Sequence, residues 1–365
     1  MVDVAAVRAA VGAVEDPEIH RTLAELNMLR EIDADESGSV RVLVALTIPG
    51  CPLKDKLDVD VTAAAMGVPG VTQVAVEFTT MTDEERTSLV SDIRGGAVRE
   101  ITLGQAGSQT RVIAIASGKG GVGKSSVTAN LGVALARMGR TVGIIDADVW
   151  GFSIPKMLGV DRQPTVIEET LLPPEIHGVR VMSMDYFVQP DQAVIWRGPM
   201  LHKAMEQFLA DVHWGDPDYL LIDMPPGTGD IAISLSQFLP RAEAVVVTTP
   251  QITAQRVAKR AGLMARKVNQ EVIGVVENMS WFTGDDDVRY PIFGEGGGEA
   301  LAADLEVPLL AQVPLVPALR EGADRGLPVT IADPGGEAAA AFETLATEVE
   351  ARKPRLRTHP ELIIR

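Results

Sequence analysis

Residues 118–125 read G-K-G-G-V-G-K-S, and this stretch decides the fold. The frame G-x-x-x-x-G-K-[ST] is a phosphate-binding loop: its glycines turn backbone N–H groups toward the β-phosphate, Lys124 supplies a positive charge, and Ser125 offers a hydroxyl to Mg²⁺. An apolar run typical of a buried strand precedes the loop at 111–117, and a helical pattern follows it at 125–138. The phosphates are therefore expected at a helix amino terminus. The predicted nucleotide contacts of the loop are Gly118, Lys119, Gly120, Gly121, Val122, Gly123, Lys124, Ser125 and Ser126.

The composition fits a protein of more than one domain in a reducing compartment. The chain has 365 residues, of which 46% are hydrophobic, and this is enough for a packed core in each of two domains. Cys51 is its single cysteine, so no internal disulfide can form, which favours the cytoplasm. No apolar run approaches the roughly 18 residues of a membrane helix, and a net charge of −17 opposes sequence-independent DNA binding. We therefore expect no membrane and no nucleic acid among its partners.

Residues 1–87 are predicted to form a small α+β domain, because helical and alternating patterns are mixed within this stretch. Residues 88–110 are rich in glycine, which favours a linker with some helix before it. The elements expected in the small domain are an amphipathic helix at 4–14, a helix start at Asp16-Pro17-Glu18, a strand at 40–48, a helix at 53–66 and a strand at 71–78.

From residue 111 onward strands alternate with helices, which predicts an α/β domain with a doubly wound, mostly parallel sheet over 111–351. The tail 352–365 is basic but carries Pro354 and Pro360, so a membrane-binding amphipathic helix is not expected there. The expected strands are 112–116, 141–145, 219–222, 244–248, 272–276 and 307–312, with helices between them, such as 253–268, and a last helix at 336–351.

Three aspartates follow predicted strands at the edge of the sheet where the loop lies. Asp223 ends an apolar run and opens D-M-P-P-G-T-G-D, where a carboxylate would complete the Mg²⁺ shell. Asp146 and Asp148 end a neighbouring strand; one would touch the water shell of the metal, and the other would orient the attacking water. Gly227 would bring a backbone N–H close to the γ-phosphate. Three strand-end carboxylates beside a phosphate loop predict Mg²⁺-dependent ATP hydrolysis.

Asn278 follows the predicted strand at 272–276, and its side-chain amide has both the donor and the acceptor needed to recognise a purine edge. From the residues alone, an asparagine that merely shapes a turn explains this position equally well. The turn Val313-Pro314-Leu315 would form a wall against the base.

Together these motifs resemble the Mrp/ApbC ATPases, which are described as iron–sulfur cluster carriers, over nearly the whole chain. The amino-terminal D-P-E-I and T-I-P-G-C-P resemble the small domain of cytosolic iron–sulfur assembly factors. The resemblance implies ATP and Mg²⁺ as cofactors, a homodimer, and apo iron–sulfur proteins as clients. It makes Asp148 the water-positioning residue, Asp223 the Mg²⁺-associated carboxylate and Asn278 an adenine contact. The predicted metal residues are thus Ser125, Asp146 and Asp223. The matching stretches are G-K-G-G-V-G-K-S-S, D-A-D-V-W-G-F-S-I-P at 146–155, W-R-G-P-M at 196–200, D-Y-L-L-I-D-M-P-P-G-T-G-D at 218–230 and V-V-E-N-M-S at 275–280.

Lys119 resembles the signature lysine of the deviant phosphate loops found in septum-positioning, plasmid-partitioning, nitrogenase-iron-protein and arsenite-pump ATPases. In those proteins the lysine reaches across a dimer to the nucleotide of the partner. The resemblance therefore adds Lys119, acting in trans, to Lys124 and Asp148 as predicted catalytic residues. An ordinary solvent-facing lysine is the alternative.

The chain departs from the family at the cluster site. Cluster-carrying members have a C-x-x-C pair a few residues after E-N-M-S, whereas residues 281–294 read W-F-T-G-D-D-D-V-R-Y-P-I-F-G. A cubane cluster normally takes about four thiolates, and a dimer of this chain would supply two, both from Cys51. Cys51 lies in an exposed-looking G-C-P turn, so a reactive or ligating thiol and a small buried cysteine are equal alternatives. Asp285–Asp287 are expected in a solvated hairpin turn rather than in a metal site.

Two other functions compete with the iron–sulfur carrier. A ParA- or MinD-like partitioning or positioning ATPase would bind DNA or membrane, which the negative charge and the proline-broken tail disfavour. A redox protein similar to the nitrogenase iron protein would need the missing cysteines. The leading hypothesis is an ATPase that assists cluster assembly or delivery, as a scaffold or chaperone rather than as the sole ligand donor.

Overall fold

The structure, a computed structural model, describes residues 2–94, 100–104, 107–149, 151–187, 198–227 and 230–352, with Asp230 described for its backbone only. Trp196 and Arg197 of the W-R-G-P-M motif and the predicted tail beyond Arg352 lie outside these residues. Within them the chain forms two units, each with its own hydrophobic core. No helix in this described part is long and apolar enough to cross a membrane.

The amino-terminal unit is a three-stranded sheet with helices, in the α+β arrangement expected. Its elements are α1 (Val4–Gly12), β1 (Leu29–Ala34), β2 (Ser39–Leu46), α2 (Lys54–Met66), β3 (Gln73–Thr80) and α3 (Asp83–Ile93). Strand β2 pairs antiparallel with β1 and parallel with β3. On β2 the alternating Val40, Val42 and Val44 are buried, because the period-two pattern turns one face of the strand toward the core.

The predicted helix start at Asp16 is wrong. Asp16 Oδ1 does accept hydrogen bonds from the backbone N–H groups of Glu18 and Ile19, both at 2.9 Å, as a helix cap would. The chain then reaches His20 with a φ of 58°, in the left-handed region, and turns instead of continuing as a helix. The cap therefore closes a single turn.

The second unit is an α/β domain built on an eight-stranded sheet, which confirms the predicted fold class. The strands of this unit are β4 (Arg111–Ser117), β5 (Val142–Asp146), β6 (Thr165–Ile167), β7 (Thr170–Leu172), β8 (Glu175–Ile176), β9 (Val179–Ser183), β10 (Tyr219–Asp223), β11 (Glu243–Thr248), β12 (Glu271–Asn278), β13 (Phe282–Thr283), β14 (Arg289–Tyr290) and β15 (Leu309–Val313). The order of the eight-stranded sheet is β15-β12-β11-β4-β10-β5-β9-β8, and every neighbouring pair is parallel except β8 with β9. Strands β6 and β7, and strands β13 and β14, form two separate two-stranded sheets. The helices are α4 (Lys124–Arg137), α5 (Ile154–Leu158), α6 (Gly198–Ala210), α7 (Asp230–Phe238), α8 (Ile252–Lys267), α9 (Gly297–Asp304), α10 (Pro317–Arg325), α11 (Val329–Ala332) and α12 (Glu337–Ala351). All the predicted strands of this unit are present.

The strand order brings the carboxyl ends of β4, β5 and β10 together at one edge of the sheet. Strand β10 lies between the other two, and its Asp223 is paired in register with Asp146 on β5 and with Ile115 on β4. Strand β4 continues into the phosphate loop and α4, whose Leu131 and Leu135 are fully buried. The carboxylates lie beside the loop because neighbouring parallel strands end at the same edge.

The segment 165–183, which the sequence did not assign to strands, connects the two units. Ile167 and Leu172 of the β6–β7 hairpin are fully buried in the hydrophobic core of the amino-terminal unit. The buried carboxylate of Glu18 accepts hydrogen bonds from Arg162 Nη1 at 2.5 Å and from Thr165 Oγ1 at 2.8 Å. Both an apolar contact and an ion pair therefore hold the amino-terminal unit against the α/β domain.

Candidate nucleotide-binding site

The phosphate loop between β4 and α4 has the backbone shape that its glycines allow. Gly121 and Gly123 have φ values of 78° and 77°, in the left-handed region that favours glycine. A Cβ on Gly118 would lie 2.2 Å from the carbonyl carbon of Val257, so this glycine lets the loop pack closely on α8. A Cβ on Gly120 or Gly121 would meet no atom within 4 Å. This open edge has the room that phosphate oxygens need.

A cavity of about 350 Å³ lies in front of the loop, and Asp148, Met157 and Pro226 complete its lining. Lys119 also lines this cavity, and its Nζ donates to Gln251 Oε1 at 3.4 Å. The lysine therefore lies beside the phosphate cavity of its own chain, and its action in trans remains a prediction.

Asp223, at the end of β10, gathers the charged and hydroxyl groups of the loop. Its carboxylate is fully buried, and Oδ2 accepts from Lys124 Nζ and from Ser125 Oγ, each at 2.6 Å. Its Oδ1 accepts from Thr128 Oγ1 at 2.7 Å. Lys124 Nζ also lies 3.8 Å from Asp148 Oδ2. The structure thus brings together Lys124, Ser125 and Asp223, which the sequence assigns to the phosphates and the metal, and Asp148, which it assigns to the attacking water.

Asp146 is engaged mainly with the segment that leads into α5. Its Oδ2 accepts from the backbone N–H groups of Ser153 and Ile154, at 2.9 and 3.1 Å, and from Ser183 Oγ at 3.2 Å. Burial and then the negative charge of Asp223 raise the pKa of Asp146 to about 7. In this structure the predicted metal residue therefore fixes the loop that carries Asp148.

Gly227 lies at the loop, as predicted, but its N–H is used within the protein. This N–H donates to the carbonyl of Ser117 at 2.9 Å, and the residue has a φ of 97°. The bond holds the D-M-P-P-G segment against the end of β4. Contact of this N–H with a γ-phosphate would require the bond to break. Thr228 and Gly229 of the same motif lie outside the described residues.

Asn278, at the end of β12, is hydrogen-bonded to the phosphate loop. Its Nδ2 donates to the carbonyl of Val122 at 2.9 Å, and a Cβ on Gly123 would lie 2.1 Å from this nitrogen. Its Oδ1 is buried and has no hydrogen-bond partner among the described residues. An unsatisfied buried acceptor is costly unless a ligand donates to it, and the amino group of adenine is such a donor.

These residues fit a nucleotide with Mg²⁺. The loop offers backbone N–H groups at a helix amino terminus, the carboxylates and Ser125 offer the oxygen ligands that Mg²⁺ prefers, and Asn278 offers an acceptor for a base. The sequence reasoning missed Thr128 and Ser183, which hold Asp223 and Asp146. Thr128 could have been found, because it lies four residues after Lys124 and therefore on the same helix face.

Cys51 lies in the other unit and is buried, which favours the second of its two alternatives, a small buried cysteine. The residue is 9% exposed and belongs to the amino-terminal hydrophobic core. Burial, together with the negative charges of Glu18 and Asp16, raises the pKa of the Cys51 thiol. Asp285–Asp287 lie in an exposed turn between β13 and β14, as expected. In the described part of the chain, no group of three or more His, Cys, Asp or Glu side chains could hold a metal ion.

The chain is similar to proteins of known family along most of its length. The family model described as "NUBPL iron-transfer P-loop NTPase" matches residues 108–350, and that described as "Iron-sulfur cluster assembly protein" matches residues 4–78. The iron–sulfur cluster carrier protein of Mycobacterium tuberculosis is 48% identical over 357 residues, covering 96% of this chain and 93% of the relative.

Two solved structures show the same fold for the α/β domain. The nucleotide-binding protein of Archaeoglobus fulgidus, in complex with ADP, is 33% identical with a TM-score of 0.55, over 72% of this chain and 97% of the other. The septum site-determining protein MinD of Pyrococcus horikoshii, complexed with Mg-ADP, is 30% identical with a TM-score of 0.50, over 66% and 96%. With its phosphate loop, its strand-end carboxylates and an amino-terminal iron–sulfur assembly domain, the chain belongs to the NUBPL iron-transfer P-loop NTPase family.

Proposed function

We propose that this protein binds and hydrolyses ATP with Mg²⁺ at the loop 118–126, and uses this cycle to assemble or deliver iron–sulfur clusters to apo-proteins in the cytoplasm. The observation that carries the ATPase part is the hydrogen-bonded group of Lys124, Ser125 and Asp223, which joins a cation, a hydroxyl and a carboxylate beside an open phosphate cradle. The carrier part is supported by relatives named iron–sulfur cluster carrier proteins, which align along almost the whole chain.

Each side chain has its own task in phosphoryl transfer, where positioning and electrostatics supply most of the catalysis. Lys124, which is paired with Asp223 in this structure, neutralises charge on the phosphate oxygens once nucleotide binds. Ser125 and Asp223 would hold Mg²⁺, which would supply positive charge against the charge that develops on the phosphate oxygens. Asp148 orients the attacking water, and Asp146 fixes the loop that carries Asp148.

In the proposed homodimer, Lys119 contacts the nucleotide that is bound to the partner chain. The contact of Lys119 Nζ with Gln251 is long, at 3.4 Å, and joins a cation to a neutral amide. Phosphate oxygens of a partner's nucleotide are stronger acceptors because they are charged. In the dimer each Lys119 would therefore leave Gln251 and contact the nucleotide of the other chain.

Any cluster on this protein must take part of its thiolate ligands from another molecule. One thiol per chain gives two per homodimer, against about four in a cubane. A small thiol such as glutathione, or cysteines of the client, would supply the rest. The cluster would then be labile, which suits delivery rather than storage.

The proposal is tested by measuring ATP hydrolysis and cluster transfer to an apo-protein in the same samples. Lys124→Ala should lose both activities, whereas Cys51→Ser should hydrolyse ATP normally and lose transfer. Transfer by Lys124→Ala at the wild-type rate would show that ATP is not used for delivery. Loss of hydrolysis in Cys51→Ser would show that the two units do not have separate tasks.

The likeness to the MinD protein favours one second candidate, a positioning ATPase that binds DNA or a membrane. The net charge of −17 and the iron–sulfur assembly match at 4–78 weigh against it. Co-sedimentation with duplex DNA and with anionic vesicles, each with and without ATP, separates the two functions. ATP-dependent pelleting with either material would favour the second candidate.

A further inference from the structure

Thr128 lies on the first turns of α4 and reaches the carboxylate that the proposed metal site depends on. The residue is fully buried, and its Oγ1 lies 2.7 Å from Asp223 Oδ1. The same oxygen lies 3.1 Å from the carbonyl of Lys124, the usual acceptor for a threonine in a helix. A hydroxyl has one hydrogen to donate. The hydrogen goes to Asp223, because the carboxylate oxygen is nearer and carries the charge.

The two oxygens of Asp223 have different partners. Oδ2 accepts from Lys124 and Ser125, which are the groups that phosphates and Mg²⁺ would also engage. Oδ1 accepts from Thr128, which does not line the cavity in front of the loop. When nucleotide draws Lys124 away, the Thr128 bond is the one that need not change. A fully buried carboxylate also needs such a bond, because burying a charge without donors is costly.

We propose that Thr128 is a positioning residue that fixes the rotamer of Asp223, so that Oδ2 faces Ser125 and the Mg²⁺ site. Its hydroxyl acts only through the carboxylate and contacts neither nucleotide nor metal. This inference rests on the proposed function, since it assumes that Mg²⁺ and nucleotide bind at the loop. Without the hydroxyl, the carboxylate turns more freely and Mg²⁺ is held more weakly.

The test uses three variants of the full chain. Thr128→Val removes the hydroxyl at nearly constant volume, and Thr128→Ser keeps it. Thr330→Val is the matched control, because Thr330 is equally buried and its Oγ1 has no partner among the described residues. The readout is the rise in melting temperature that ADP causes as Mg²⁺ is titrated, with ADP alone measured alongside.

Thr128→Val should need about tenfold more Mg²⁺ for half of the wild-type effect, as expected for one hydrogen bond to a charged group. Its response to ADP without Mg²⁺ should stay within about twofold of wild type. Thr128→Ser and Thr330→Val should titrate like wild type. A wild-type Mg²⁺ titration of Thr128→Val would overturn the inference, as would equal weakening with and without Mg²⁺, which indicates only a damaged helix.

A double variant shows whether the effect passes through Asp223. In an Asp223→Asn background, Thr128→Val should change the Mg²⁺ dependence by less than about twofold, because the carboxylate it positions is gone. A full tenfold effect in that background would contradict the inference. If wild-type protein shows no Mg²⁺-linked response to ADP at all, the proposed function fails instead.

Discussion

The phosphate site and the surroundings of Cys51 are both buried and both acidic, yet they differ in how they affect an ionisable group: the carboxylate of Asp223 in the first and the thiol of Cys51 in the second. At the phosphate site the carboxylate of Asp223 accepts hydrogen bonds from one ammonium and two hydroxyls, which are the donors that a buried carboxylate needs. Around Cys51 burial, followed by the charges of the neighbouring carboxylates, disfavours the thiolate and raises the pKa of the thiol. The first site is preorganised for charge, whereas the second disfavours the thiolate, so that a cluster at Cys51 would be held weakly.

The two regions also differ in what holds them in place. The phosphate site is built within one domain, from residues at the ends of adjacent strands. The Cys51 region depends on contacts with the other domain. The nearby Glu18 is buried, and its carboxylate accepts hydrogen bonds from Arg162 and Thr165 across the interface. A change at that interface therefore reaches the thiol's surroundings, while the phosphate site can stay intact.

The largest expected effect is at the phosphate site. Lys124→Ala should reduce ATP hydrolysis by about 10³-fold or more and weaken nucleotide binding, because the charge facing the phosphates is removed. Asp223→Ala should lose Mg²⁺-dependent turnover. A phosphate-release assay measures both, with Lys203→Ala, an exposed lysine on α6, as the control. Undiminished hydrolysis in either loop variant would remove the assignment of the site.

Substitution of Lys119 tests whether a residue of one chain contributes to ATP hydrolysis at the site of its partner. Lys119→Ala should still bind ATP yet lose most of its turnover, since charge supplied in trans to a phosphoryl transition state is worth roughly 10³-fold. Mixing it with Asp148→Ala should restore some activity, because one site of the mixed dimer is complete. Hydrolysis by Lys119→Ala that equals wild type at every protein concentration would refute the trans role.

The interface prediction concerns stability rather than catalysis. Arg162→Ala leaves Glu18 buried without its cation, which should cost about 3 kcal/mol of the free energy of unfolding of the amino-terminal unit. Arg320→Ala, which breaks an exposed pair on α10, should change little. Denaturant unfolding followed for each unit measures the difference. If the unfolding midpoint of the amino-terminal unit were the same in both variants, the buried pair of Arg162 and Glu18 would not hold the two units together.

The smallest effect is the pH dependence of Cys51. Because its pKa is raised in the folded protein, less thiolate is present at a given pH, and the thiolate is the reactive form. The alkylation rate of native protein should therefore rise at higher pH than that of the same protein unfolded in urea. At pH 8 the native protein should therefore be alkylated more slowly than the unfolded protein. An alkylation rate that rises in the native protein at the same pH as in the unfolded protein, or at a lower pH, would indicate an activated thiol.

Most of the α/β domain was predictable because its signals are local. The loop glycines, the apolar strands and the aspartates that follow them place the site at one sheet edge before any contact is known. The contacts between distant residues were not predictable in this way. The bond from Gly227 to Ser117 and the burial of Ile167 and Leu172 in the amino-terminal core depend on how separate segments pack.

The Asp16 turn shows the limit of local patterns in the small domain. The cap at Asp16 is present, but His20 adopts a left-handed conformation and ends the turn. No pattern in the sequence predicts this conformation. Cys51 is similar: its Gly-Cys-Pro turn reads as exposed, whereas the helices and strands around it cover the thiol.

The iron and acid-labile sulfide content after anaerobic reconstitution, with the visible absorption band, is the decisive measure of whether this protein carries a cluster through Cys51. Wild-type protein is predicted to bind a labile cluster at less than one per dimer and to release it to an apo-protein. Cys51→Ser is predicted to bind none and still to hydrolyse ATP. A stable cluster at one per dimer in Cys51→Ser, or no iron in the wild type under any thiol supplement, would contradict the account.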